Sequence, residues 1–171
     1  MTAVAQRCAA AAARLGGLLA ARSWLVGLAE SCSGGLIGHL LTNVPGASAW
    51  FAGGVTAYAN SAKINVLGVD SRIIEAHGAV SEEAVSAMAS GARRVFAAQC
   101  ALAVSGIAGP TGGTPEKPVG TVWLGCDVLG RIAARRVMLE GSREEIKALT
   151  ALAGLTALAD LLEAQGGTAA R

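Results

Sequence analysis

The side chains of this chain that could do chemistry gather in three short corners, residues 31–35, 58–63 and 105–113. The first follows Trp24-Leu-Val-Gly-Leu-Ala-Glu and reads Ser31-Cys-Ser-Gly-Gly35. An apolar run that ends abruptly in hydroxyls, a thiol and two glycines, then resumes as Leu36, Ile37, Leu40 and Leu41, predicts a buried strand, a tight turn and a helix start. Unpaired backbone N–H groups converge at such a place, so it can hold an anion or steady an oxyanion beside Ser31. The same residues also read as a helix cap made by Ser31 and Ser33.

A serine needs a base to become a nucleophile. His39 falls about two turns into its helix, and His77 sits in a turn. Neither has an Asp partner in view, which makes a Ser-His-Asp arrangement a weak reading. Lys63 is the better base. With Asn60 as helix cap, Lys63 lies in the first turn, where the positive end of the helix dipole disfavours an ammonium. Partial burial would lower its pKa further, towards an amine that accepts a proton. These residues suggest a Ser31–Lys63 pair, with Tyr58 placed to relay or steady the proton. On the residues alone, a surface position is the ordinary expectation for Lys63. Cys32 is a rival nucleophile, since a helix N-terminus activates a thiolate.

These corners need a frame. The spacing predicts a helix over residues 4–21, a strand over 24–29, a helix over 34–41, and a strand over 49–58 with a bulge or close approach at Gly53-Gly54. Short helices follow around Lys63 and over 71–76. Ser81-Glu82-Glu83 opens a helix to about residue 98, and residues 100–105 form an apolar strand buried on both faces. Residues 119–128 and 131–139 pair as a hairpin across Leu129-Gly130. Ser142-Arg-Glu-Glu145 is a capping box opening a last helix to about residue 164, with fraying expected beyond. Strands alternating with helices, plus one hairpin, predict a single α/β domain over residues 1–171 with a mixed sheet. Each corner follows a strand, and open α/β sheets bind ligands at the carboxyl ends of their strands. One shared pocket is the expectation.

Composition narrows the function classes. The chain of 171 residues is 53% hydrophobic but only 4% aromatic, so Ala, Leu and Val must fill the core and let helices lie close to the sheet. Its 23 glycines cluster at turns, which argues for tight, backbone-lined corners. Net charge is only +2, with no basic tail or aromatic-basic stripe, which argues against nucleic acid as partner. Arg93-Arg94 and Arg135-Arg136 read as solvated faces. Four scattered cysteines and two histidines give no zinc spacing and suit a reducing, cytoplasmic setting. No apolar run is long enough for a membrane span.

Five segments carry a resemblance. Ala29-Glu-Ser-Cys-Ser-Gly-Gly35, Val55-Thr-Ala-Tyr-Ala-Asn-Ser-Ala-Lys63, His77-Gly-Ala-Val-Ser81, Ser105-Gly-Ile-Ala-Gly-Pro-Thr-Gly-Gly113 and Lys117-Pro-Val-Gly-Thr-Val-Trp123 together resemble the CinA C-terminal domain family. The match runs in the same order over nearly the whole chain. Stand-alone members of that family are nicotinamide-nucleotide amidohydrolases. The resemblance implies a three-layer α/β/α domain with a mixed, mostly parallel sheet. It also implies hydrolysis of nicotinamide mononucleotide to nicotinic acid mononucleotide and ammonia, within pyridine nucleotide salvage. Membership further implies a serine-lysine mechanism needing neither metal nor cofactor, and a homodimer. The family's nucleophile falls on Ser31, and the tyrosine and lysine of its T-x-Y-x-N-x-x-K pattern fall on Tyr58 and Lys63. Ser33 stands where many relatives have threonine. On this reading the N–H groups around Ser33, Gly34 and Gly35 hold the oxyanion. The corner containing Ser105, Gly106, Gly109, Gly112 and Gly113 lets backbone approach the nucleotide and its phosphate, and Arg143 is a further phosphate candidate. The alternative is a family module that binds a nucleotide without turning it over.

Overall fold

A computed structural model describes residues 3–166. Five strands, β1 (Val26–Glu30), β2 (Phe51–Thr56), β3 (Cys100–Gly106), β4 (Thr121–Val128) and β5 (Arg131–Met138), form one sheet in the order β2-β1-β3-β4-β5. β1 pairs in parallel with both β2 and β3, while β4 runs antiparallel to β3 and to β5. Four strands therefore point one way and only β4 opposes them. The sheet is mixed and mostly parallel, as expected.

Helices cover both faces. On one side α1 (Ala3–Arg22), α2 (Leu36–Thr42) and α6 (Arg143–Gly166) pack on one another and on the sheet, around Leu15, Leu28, Leu102 and Leu155. On the other side α3 (Asn60–Asn65), α4 (Ser71–His77) and α5 (Glu82–Val95) share a core with Val85, Met88, Ala101 and Ala103. Small residues let α5 lie close to the sheet. A Cβ at Gly27 would come within 2.8 Å of the Phe96 ring, and one at Gly125 within 2.7 Å of the Val85 carbonyl. β3 is buried along almost its whole length, which accounts for its unbroken apolar sequence.

Local signals were legible in most places. Ser81 caps α5 by accepting from the Ala84 N–H at 3.2 Å. Ser142 and Glu145 form the reciprocal capping box. Leu129 and Gly130 turn the β4–β5 hairpin with φ of 53° and 86°, the two positive values a tight two-residue turn requires.

Three expectations need correction. The second strand starts only at Phe51, because residues 47–49 coil into a 3-10 turn. The cap of α3 is Ala59 with no side-chain bond, so Asn60 opens the helix and does not cap it. Arg93 is not merely a solvated arginine: its Nε lies 2.9 Å from the buried carboxylate of Asp127. The fraying expected at the C-terminus lies outside the described residues, apart from Gly166, which α6 includes.

Candidate active site

The connection leaving β1 runs towards β2 with α2 on one face, whereas the connection leaving β3 runs towards β4. The carboxyl ends of β1 and β3 thus flank the switch in strand order where α/β sheets open a crevice. A cavity of about 270 Å³ occupies this place. Ser31 enters it from the end of β1, Tyr58, Asn60 and Lys63 from the segment after β2, and Ser105, Gly106, Gly109 and Gly112 from β3 and its loop. Arg143, the first residue of α6, completes the rim. All three corners therefore contribute to one cavity.

Ser31 is only 8% exposed, and its N–H donates to the Val104 carbonyl at 3.0 Å, which ties the corner to β3. The corner itself differs from the cap expected of two serines. The residue before α2 is Gly35, at φ 93°, without a side-chain bond of its own. The anion that satisfies this helix start is the carboxylate of Glu30, a residue overlooked in the sequence. It accepts from the Ser33 hydroxyl at 2.6 Å and from the N–H groups of Gly35, Ile37 and Gly38 at 3.1, 3.0 and 2.8 Å. Ser33 is fully buried in this contact.

Ser33, Gly34, Gly35 and Gly113 accordingly do not line the cavity. The Gly34 N–H is spent on the Ser31 carbonyl at 3.1 Å and that of Gly35 on Glu30, so neither is free to serve as an oxyanion donor. Among the described residues the N–H groups of Cys32 and Ser33 reach no other residue's carbonyl or carboxylate, and of the two only Cys32 lines the cavity. Gly113 is small for a different reason. A Cβ there would stand 2.7 Å from the Val119 nitrogen.

Lys63 is not a surface lysine. It is 1% exposed and ranks among the largest fully buried side chains. Its Nζ donates to the Ala57 carbonyl at 2.8 Å and to the Tyr58 carbonyl at 3.2 Å. Burial pushes its pKa below the ordinary 10.5, with Cys32 acting weakly the other way. Two carbonyls each accept one of the amine's N–H bonds, and the lowered pKa means that Lys63 gives up its proton more readily than an ordinary lysine, as a base must.

Cys32 shares the cavity wall but is a poor nucleophile. Burial raises its thiol to about 11, outweighing a hydrogen bond with Thr150 that lowers it. The side chain stays protonated at neutral pH.

Tyr58 departs from the expected relay. Its hydroxyl accepts from Arg143 Nη2 at 2.7 Å, and only its main-chain carbonyl meets Lys63. Arg143 Nη1 also donates to the Gly109 carbonyl at 2.7 Å. One guanidinium thereby joins the β2–α3 segment, the β3 loop and α6 across the cavity mouth. Ser105 is positional in a similar way, its buried hydroxyl donating to the Ala79 carbonyl at 2.6 Å. His39 and His77 stay outside; His39 Nε2 lies 3.2 Å from the Asn43 side chain, and His77 Nδ1 lies 3.4 Å from Glu83.

One signal could have exposed Glu30. A carboxylate ending an apolar strand, just before a glycine turn and a helix, is well placed to complement that helix's positive end. A larger groove of about 340 Å³ between β4, β5 and α6 has no comparable chemistry. Its one thiol, Cys126, is pushed up to about 12 by burial.

The frame and the cavity together define an α/β/α domain with a hydroxyl and a buried amine at the switch point of a mixed sheet. The chain belongs to the CinA C-terminal domain family, whose family model matches residues 8–162. It is 44% identical over 151 residues to a protein of Enterobacter agglomerans named nicotinamide-nucleotide amidohydrolase PncC, covering 87% of this chain and 92% of that one. It is 52% identical over 128 residues to a CinA-like protein of Gemmatimonas aurantiaca, covering 75% of this chain and 30% of the relative. The chain thus spans about a third of the length of such CinA-like relatives. A crystal structure of a CinA superfamily protein from Klebsiella pneumoniae superposes with a TM-score of 0.89 at 34% identity, covering 92% of this chain and 98% of that one.

Proposed function

We propose that this chain is an amidohydrolase that converts nicotinamide mononucleotide to nicotinic acid mononucleotide and ammonia, using Ser31 as nucleophile and Lys63 as base. The observation that carries the reading is the pair itself. A serine hydroxyl and a fully buried lysine whose pKa is lowered line one cavity at the carboxyl ends of the parallel strands. The name of the Enterobacter relative, which this chain matches over nearly its full length, supports the choice of substrate.

In this mechanism Ser31 Oγ attacks the carboxamide carbon while its proton passes to Lys63 Nζ. The N–H group of Cys32, which lines the cavity, takes the oxyanion. The C–N bond then breaks, and Lys63 returns the proton to the departing nitrogen, which leaves as ammonia. Water next attacks the acyl-serine, giving one proton to Lys63, and the acid departs as Ser31 recovers its hydrogen. A preorganised oxyanion donor is worth about 10²–10³ in rate. Arg143 and the loop over residues 105–113 take the phosphate, and Tyr58 holds Arg143 in place.

The enzyme acts in the cytoplasm in this reading, which the four free cysteines support. A homodimer is part of it, tested by light scattering. The second reading is a module that binds the nucleotide without turnover. It draws support from the Lys63 amine, which is bonded to two carbonyls and makes no hydrogen bond to Ser31.

Incubation of the purified protein with nicotinamide mononucleotide, with ammonia as readout, separates the two. Turnover that Ser31→Ala abolishes supports the enzyme. Binding without ammonia favours the module, and full turnover by Ser31→Ala refutes the serine mechanism.

A further inference from the structure

We propose that Glu30 is a positioning residue for Ser31, an internal anion that fixes the nucleophile's corner in its reactive shape and occupies the α2 start so that external anions do not. The inference rests on the reading of Ser31 as nucleophile. Glu30 is the last residue of β1 and is 3% exposed. Its carboxylate gathers one hydroxyl and three backbone N–H groups, contributed by residues from Ser33 to Gly38. The segment between holds two glycines at positive φ, Gly34 at 65° and Gly35 at 93°, which leave the turn little conformational preference of its own.

An ordinary cap residue satisfies one or two N–H groups of the helix it opens. Glu30 does something else. It reaches from the strand across the turn that carries Ser31, Cys32 and Ser33, so strand end, turn and helix start become one rigid unit. Charge-assisted hydrogen bonds are roughly twice as strong as neutral ones. Moving this carboxylate moves the serine oxygen and the Cys32 N–H together, whereas Arg143 and the β3 loop are held by separate contacts. The predicted consequence falls on turnover and spares substrate binding. A displacement of about 1 Å at a reacting group costs on the order of 10²-fold in rate.

The test compares wild type with Glu30→Gln and Glu30→Ala, well below their melting temperatures. The readouts are kcat and KM for ammonia release, and the rate at which a sulfonyl fluoride labels Ser31, followed by mass spectrometry. The expected result is a kcat loss of about 10²-fold in Glu30→Ala with KM within threefold, and labelling slowed in parallel. Glu30→Gln is intermediate, because its amide keeps one acceptor oxygen but turns an NH₂ towards a backbone N–H. Formate, which fits the vacated carboxylate position, raises both rates in Glu30→Ala and leaves wild type unchanged. Ser31 labelling near the wild-type rate in a folded Glu30→Ala protein overturns the inference, as does a loss confined to KM. A loss that follows melting temperature and ignores formate also overturns it. Labelling does not depend on the substrate, so wild type that labels at Ser31 but releases no ammonia refutes the amidase reading while still testing Glu30.

Discussion

Lys63→Met is the sharpest test of the buried amine. Methionine keeps an unbranched stem of similar length, so the packing of the shaft survives while the amine is removed. Loss of a general base costs typically 10²–10⁴-fold, and that is the expected fall in kcat, with KM changed only a few-fold. Stability moves through two opposing effects. The Ala57 and Tyr58 carbonyls lose their donor, at about 1–3 kcal/mol for each one left unpaired. Against this, the variant no longer buries an amine that is charged at low pH. The sign of the pH dependence follows from the lowered pKa. Below the folded value Lys63 is charged in both states and the full cost of burying it is present. Between the folded value and 10.5 the unfolded chain holds the extra proton, so wild-type stability rises with pH by up to about 1.4 kcal/mol per unit. Above 10.5 the gain is complete. The melting temperature of Lys63→Met, measured against wild type from pH 6 upwards, should therefore fall progressively behind. The rate follows the same proton. Wild-type kcat/KM should climb with pH to a plateau, with the midpoint of the climb below 10.5, and the residual activity of the variant should lack that limb. A folded Lys63→Met protein with more than a tenth of wild-type kcat would refute the role of the amine, as would a climb centred at or above 10.5.

The frame was legible because its signals are local. The apolar run of β3, the hairpin at Leu129-Gly130 and the Ser142–Glu145 box each declare themselves within a few residues. The three corners were legible for the same reason, and parallel topology then brings residues of all three into one cavity. What stayed hidden depends on which partner a group finds across a turn. Glu30 meets Gly38 only because the chain reverses at Gly34 and Gly35, and pattern reading assigned that helix start to the serines. The Tyr58 hydroxyl was expected to serve the Ser31–Lys63 pair, and the arginine 85 residues away in sequence holds it instead. The burial of Lys63 is tertiary too, because its own short helix offers little to hide it. The Asp127 carboxylate that holds Arg93 comes from β4, well away along the chain.

Cys32→Ala should keep at least a third of wild-type kcat, and iodoacetamide at pH 8 should modify Cys32 slowly, since a thiol near 11 is almost wholly protonated there; loss of turnover in that variant would move the nucleophile to the thiol. Gly91→Ala should lower the melting temperature by about 2–12 °C, because its Cβ would collide with the Leu67 carbonyl oxygen and overpacking costs roughly 1–3 kcal/mol; an unchanged melting curve would mean that α5 and the Leu67 segment part easily. Tyr58→Phe decides what the phenol does. The substitution deletes the acceptor of Arg143 Nη2 but leaves the Tyr58 carbonyl, and with it the Lys63 amine, untouched. If the hydroxyl serves only to hold Arg143, the guanidinium keeps its bond to Gly109 but loses its second anchor. The ring is 59% exposed, so that anchor is worth less than the 1.5–3 kcal/mol of a buried bond to a charged group. KM for nicotinamide mononucleotide should then rise about three- to tenfold, with kcat within threefold of wild type. The unphosphorylated nucleoside should show no such rise, because Arg143 would have no phosphate to meet. A kcat loss of 10²-fold or more at unchanged KM would instead put the phenol on the proton's route between Ser31 and Lys63, and the hydroxyl's contact with Arg143 would then have to break during turnover.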